Sequence, residues 1–178
     1  SCDAKRALLF GEHLHENVLL PEPHAHQVFS MPKILRPRFK FNRSLLHLLF
    51  HAAWDAWKEL IDDALPGCTP ASVLTVHTAG DLLGRHPHCH GMALYGGIDS
   101  KENYQPLELV NTEYLSNCFS RNLLEALLQA GEIEHATIDL IRSWEHSGFH
   151  AYVGDPIQAD QEETRLFTAR YLKKSAVA

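Results

Sequence analysis

The chain has 178 residues, 45% of them hydrophobic and 21% charged, with a formal net charge of -6. That length and apolar content suit a single core, so residues 1–178 are expected to form one domain. No apolar run approaches the ~18 residues of a membrane span, no signal-peptide pattern opens the chain, and the four scattered cysteines (Cys2, Cys68, Cys89, Cys118) make no disulfide framework, so a soluble, intracellular protein with reduced thiols is expected.

In chain order, residues 4–20 have helix-like apolar spacing interrupted by Gly11. Residues 26–35 alternate as a strand does and stop at Pro32. Residues 32–43, "PKILRPRFKFNR", carry Lys33, Arg36, Arg38, Lys40 and Arg43 with no acid, although the chain as a whole is acidic. From 44 to 65, apolar residues recur at three- and four-residue intervals until Pro66-Gly67, which predicts a long amphipathic helix. "ASVLTVHTA" and "HPHCHGMALYGG", separated by the short "GDLLGR", predict two adjacent antiparallel strands. Residues 98–117 suggest an excursion or a short strand. A helix with a serine cap is expected over 120–130, closing on Gly131. Residues 136–148 suggest a further helix, "FHAYVG" a short strand, and the stretch from Asp160 through "QEETRLFTARYLKK" a last helix. Strands and helices mixed over one domain, with a short β-to-β connection, indicate an α+β fold with a central antiparallel sheet flanked by helices.

The chemistry concentrates in "HPHCH". Side chains alternate along a strand, so His86, His88 and His90 share one face and Cys89 takes the other; His88 and His90 are then about 7 Å apart at Cα, close enough for both imidazoles to reach one ion. His77, on the preceding strand, is the candidate third ligand. Spacing alone leaves three readings open: packing, metal binding and direct histidine catalysis. An ion with open positions can act as a Lewis acid on a phosphoryl oxygen but needs a nucleophile, and Tyr171, among Arg170, Lys173 and Lys174, is a candidate. Its alternative role is packing on the sheet. His13, His15, His24, His26, His47 and His51 receive no functional reading.

Taken together, "HQVFSMPKILRPRFKFNRSLLHLLFHAAW", "HTAGDLLGRHPHCHGMALYGGI", "SWEHSGFHAYVGDPI" and "ARYLKK" resemble the rolling-circle insertion-sequence transposases of the HUH endonuclease superfamily. The resemblance spans nearly the whole chain in the same order. It implies a ferredoxin- or RRM-like core, and a His-hydrophobic-His motif at His88-Cys89-His90 that binds Mg²⁺ or Mn²⁺. Tyr171 then attacks the scissile phosphate of single-stranded DNA, at transposon ends and target, through a 5′-phosphotyrosine intermediate. Lys33, Arg36, Arg38, Arg43, Arg170 and Lys173 become candidate DNA contacts, while Trp144 and Phe149 can stack bases or pack in the core. The implied setting is the bacterial cytoplasm at the nucleoid, without a membrane partner and with a homodimer left open.

Three departures qualify the resemblance. Some members carry a second tyrosine one helical turn earlier, where this chain has Phe167. The cysteine-rich zinc-binding segment and the continuation past "RYLKK" are also expected to be missing, with Cys2 the one cysteine near the start. Two alternatives stand beside this reading: a histidine-triad nucleotide hydrolase or transferase with His88 as nucleophile, and a catalytically inactive DNA-binding remnant.

Overall fold

The computed structural model describes residues 2–79 and 85–173; the connection at 80–84 and Lys174 lie outside them. The chain folds as α+β around a four-stranded antiparallel sheet made of β1 (His24–Ser30), β2 (Ser72–Ala79), β3 (Arg85–Leu94) and β6 (His150–Val153), in the order β2-β3-β1-β6. β4 (Gly96–Ile98) and β5 (Tyr104–Pro106) form a separate two-stranded ribbon. The expected antiparallel pairing of the two central segments is found, with His77 directly opposite His88 and Thr75 opposite His90. Among the described residues, no helix is long and apolar enough to cross a membrane.

The pleat gives the sheet two unlike faces. One presents Phe29, Cys89, Ala93 and Ala151 to α3 (Leu46–Ala64) and α4 (Thr112–Gln129), forming the main core with Trp57, Ile61, Phe119 and Leu123. Cys89 is fully buried there, and burial pushes its thiol up to about 12, so it stays a protonated, apolar-facing group. The opposite face receives α1 (Cys2–Asn17) and α6 (Glu162–Tyr171) through a smaller cluster of Leu14, Met92, Ala169 and Leu172.

Three elements differ from the sequence expectation. α4 begins at Thr112, eight residues before Ser120, because the Asn111 side chain accepts from the Tyr114 amide (2.9 Å) and caps the helix there. Beyond Pro32, the expected end of the strand, the basic segment takes unexpected helical structure: a 3-10 turn at Lys33–Leu35 leads into α2 (Arg36–Phe41), which has Pro37 in its first turn, where a missing N–H costs nothing. α5 (His135–Arg142) ends well before Gly148, which at φ 75 turns the chain into β6 against Pro32.

α1 and α6 cross at Gly11. A Cβ there would lie 2.4 Å from Arg170 Cγ and 3.1 Å from the Arg170 backbone nitrogen, so the absence of a side chain sets how close α6 comes. Gly11→Val is expected to destabilise the fold by about 1–3 kcal/mol through overpacking, read as a lower urea midpoint; an unchanged midpoint would contradict the close crossing.

His24 is 3% exposed, and its Nδ1–H donates to the Glu22 carbonyl at 2.8 Å. Burial brings its pKa down from 6.5 to about 4 despite that bond, and the Arg165 guanidinium lowers it further. Between pH 6.5 and 4 the unfolded ring binds a proton that the folded ring does not, so stability falls as the pH drops through this window. The part due to His24 is about 3 kcal/mol, measurable as the difference in acid sensitivity between wild type and His24→Gln. Parallel profiles for the two proteins would refute it.

Candidate active site

Register places the chemistry on the α1/α6 face. Partners in antiparallel strands point to the same side, so the pairs His77↔His88, Thr75↔His90, Val28↔His90 and His26↔Met92 put His26, His77, His88 and His90 on one face. One ligand nitrogen from each of His77, His88 and His90 lies within 4.8 Å of the others. The cluster is tightest at His88 Nε2 and His90 Nε2, 2.8 Å apart. His88 Nδ1 donates to the His86 carbonyl at 2.5 Å, which leaves Nε2 as the lone-pair atom of the neutral ring. His77 Nε2 donates to the Leu172 carbonyl at 3.0 Å.

Burial favours the neutral form of two rings on this face, His90 and His26. His90 is 6% exposed, and desolvation, followed by repulsion from His77, His88 and His26, brings its pKa down to about 3, so the ring is a neutral Lewis base at pH 7. His26 is lowered too, first by burial and then by His77. Neutral imidazoles with converging lone pairs are a donor set suited to a divalent transition metal.

Tyr171 ends α6 over this cluster, 36% exposed, with its ring centre 5.1 Å from His90, 5.8 Å from His26 and 6.5 Å from His77. The next residue fixes it: the Leu172 carbonyl accepts from both Thr75 Oγ1 and His77 Nε2, each at 3.0 Å, tying the helix end to β2. The phenol and the imidazoles thus share one side of the sheet. Phe167, one turn earlier, is 71% exposed, so packing does not demand phenylalanine there.

The basic candidates divide. Arg170 lies 3.9 Å from Glu12, and Lys173 sits over the Phe10 ring, both within two residues of Tyr171 in sequence. Lys33 and Arg43 are exposed, whereas Arg36 is half-buried, with Nε and Nη2 donating to the Met31 carbonyl at 3.3 Å. Arg38 is half-buried on α2, which packs against β3. This segment leaves β1 just after Ser30, the partner of His88, and so starts at the histidine end of the sheet. Of the two aromatic candidates, Phe149 is core, edge-on to Phe119, while Trp144 is 38% exposed.

Sequence reasoning missed His26 and Tyr152. His26 Nε2 stands 3.0 Å from His90 Nδ1, and Tyr152, half exposed on β6, lies edge-on to His26 with ring centres 6.4 Å apart. The available signal was "HAH" at residues 24–26, which repeats the two-residue spacing of "HPHCH".

Comparison with known proteins gives a consistent answer. A family described as "Putative transposase" matches residues 72–178, a span that holds His77, His88, His90 and Tyr171. The transposase for insertion sequence element IS801 of Pseudomonas savastanoi pv. phaseolicola is 38% identical over 88 residues, covering 48% of this chain and 21% of that protein. The matched part therefore spans about a fifth of the length of that relative. No solved structure matches the chain. With the family match covering more than half of its length, and holding both the paired histidines and the tyrosine, the chain belongs to this family of transposases.

Proposed function

We propose that residues 1–178 act as one catalytic domain that cleaves and rejoins single-stranded DNA by transesterification, with Tyr171 as nucleophile and His88, His90 and His77 holding a divalent cation. The observation that carries this reading is the 5.1 Å approach of the Tyr171 ring to His90, on the same face as the other histidines. When bound, the ion would neutralise charge on a non-bridging oxygen of the scissile phosphate. Tyr171 Oη forms the new bond to phosphorus, the bond to the 3′ oxygen breaks, and the proton lost by the phenol is balanced by one gained at the 3′-hydroxyl. One phosphodiester is exchanged for another, so rejoining needs no outside energy source. The Leu172 anchor holds the phenol in place, which lowers the entropy cost of attack. An all-imidazole set favours Mn²⁺ over Mg²⁺, whose preference is for oxygen ligands.

Incubation with a labelled, randomised single-stranded DNA library and Mn²⁺ is expected to give a covalent protein–DNA adduct. The adduct should be lost with EDTA and undetectable for Tyr171→Phe, and Phe167→Ala should leave it unchanged. His88→Ala and His90→Ala should each reduce its rate by about 100-fold or more. An adduct that survives Tyr171→Phe overturns the assignment of the nucleophile. DNA retention without any adduct would favour the inactive remnant, and EDTA-resistant cleavage of a nucleoside phosphoramidate, lost in His88→Ala, the histidine-triad enzyme.

The basic segment gives a separate expectation. Lys33→Ala and Arg43→Ala, both at exposed positions, should weaken single-stranded DNA binding and each reduce the slope of log affinity against log salt by about 0.7. Unchanged slopes in a titration by fluorescence anisotropy would remove these residues from the DNA path.

A further inference from the structure

We propose that His26 is the positioning residue that sets the tautomer of His90, accepting the His90 Nδ1 proton whenever His90 Nε2 serves as a metal ligand. The inference rests on the proposed metal centre and assigns a role to a residue outside its ligand set.

His26 Nε2 and His90 Nδ1 are 3.0 Å apart, the two ring planes differ by 1°, and the ring centres are 5.2 Å apart. That centre-to-centre distance is close to the N···N distance plus one ring radius at each end. The rings therefore meet edge to edge in a common plane, as a linear N–H···N hydrogen bond requires, rather than face to face. At the other end of the chain of rings, the His86 carbonyl can only accept, so His88 Nδ1 carries its proton and His88 Nε2 is a lone pair.

His90 lies between these two fixed points, and two arrangements of protons are consistent with neutral rings. Without a cation, His90 Nε2–H donates across 2.8 Å to His88 Nε2, and His90 Nδ1 then accepts from His26 Nε2–H. With a cation, both Nε2 atoms must offer lone pairs. The His90 proton then sits on Nδ1 and donates to His26 Nε2, whose own proton moves to Nδ1 of the His26 ring. Each ring keeps one proton in both arrangements. The cation-binding arrangement needs an acceptor at the position of His26 Nε2; a side chain that only donates there, or an apolar one, leaves a buried N–H without a partner and favours the tautomer that cannot ligate.

The test measures Mn²⁺ affinity of the whole chain by electron paramagnetic resonance of the free ion, independent of DNA cleavage. His26→Leu is expected to weaken binding about 10-fold or more and His26→Lys at least as much, while His26→Gln, which offers a carbonyl oxygen, should recover most of the affinity. In parallel, long-range ¹H–¹⁵N spectra of wild type with and without diamagnetic Zn²⁺ should show His90 changing from the Nε2–H to the Nδ1–H tautomer, and His26 doing the same. A folded His26→Leu protein, verified by circular dichroism, that binds Mn²⁺ within two-fold of wild type overturns the proposal, as does a Zn²⁺ form in which His90 keeps Nε2–H. If His26→Leu fails to fold, the spectra of wild type decide. A wild-type chain that binds no Mn²⁺, or His88→Ala and His90→Ala variants that bind it normally, overturns the metal centre itself and this proposal with it.

Discussion

The carbonyl of Leu172 is the point on which the site depends. It accepts two hydrogen bonds from β2, one from Thr75 and one from His77, and it follows directly on Tyr171. A carbonyl at a helix end has no partner within the helix and must find one elsewhere. Here the partners stand beside the histidine cluster, so capping the last turn of α6 also delivers the phenol to the imidazoles. The same bond leaves His77 Nδ1 as the ring's lone-pair nitrogen, the atom that would serve an ion in the proposed metal centre.

This arrangement needs a polar face on a sheet whose other side is a dry core. Four imidazoles under a helix would be costly if they were charged, and burial resolves the conflict by keeping His90 and His26 neutral. The apolar contacts that seat α6 are few, chiefly Leu14, Met92, Ala169 and Leu172, and they are effective because Gly11 allows α1 close to Arg170. α6 is thus held by a small hydrophobic seat, a close crossing, the shared Leu172 carbonyl and the buried Arg165, whose Nη2 donates to the Leu20 carbonyl at 2.7 Å. The main core on the far side contributes to the site by fixing the register of β1, β2 and β3.

What was legible in the sequence followed from periodicity. The long helix, the two central strands and the face shared by His88 and His90 are all consequences of 3.6- and 2-residue repeats. The start of α4 was obscured because "NTEYLSNCFSRN" offers several polar caps, and only the geometry at Asn111 selects one. α2 was hidden by Pro37, which reads as a break but sits in the first turn, where it is tolerated. His26 was missed for a different reason: its role depends on which strand lies beside β3, and pairing between segments more than sixty residues apart cannot be read from local spacing.

The net charge of -6 has to be reconciled with a proposed polyanionic substrate, and the placement of the charged residues bears on it. Asp55, Glu59, Asp62 and Glu125 line a groove between α3 and α4 together with Lys58, and Glu59 is paired with Arg121, on the side of the sheet away from the histidines. Lys33 and Arg43 belong to the segment that leaves β1 at the histidine end and packs through Leu35 and Phe39 on the main core, and Arg170, with Glu12 at 3.9 Å, and Lys173 lie beside Tyr171 at the end of α6. In the proposed function a single strand would be repelled from the acidic part of the α3/α4 groove and attracted to the basic segment and the end of α6, so the acidic surplus would orient the approach of DNA instead of preventing it. With a Debye length near 8 Å at physiological salt, this orienting effect is short-ranged. In the proposed reaction it would act on a strand already close to the surface, at the distance where the phosphodiester would be turned toward Tyr171.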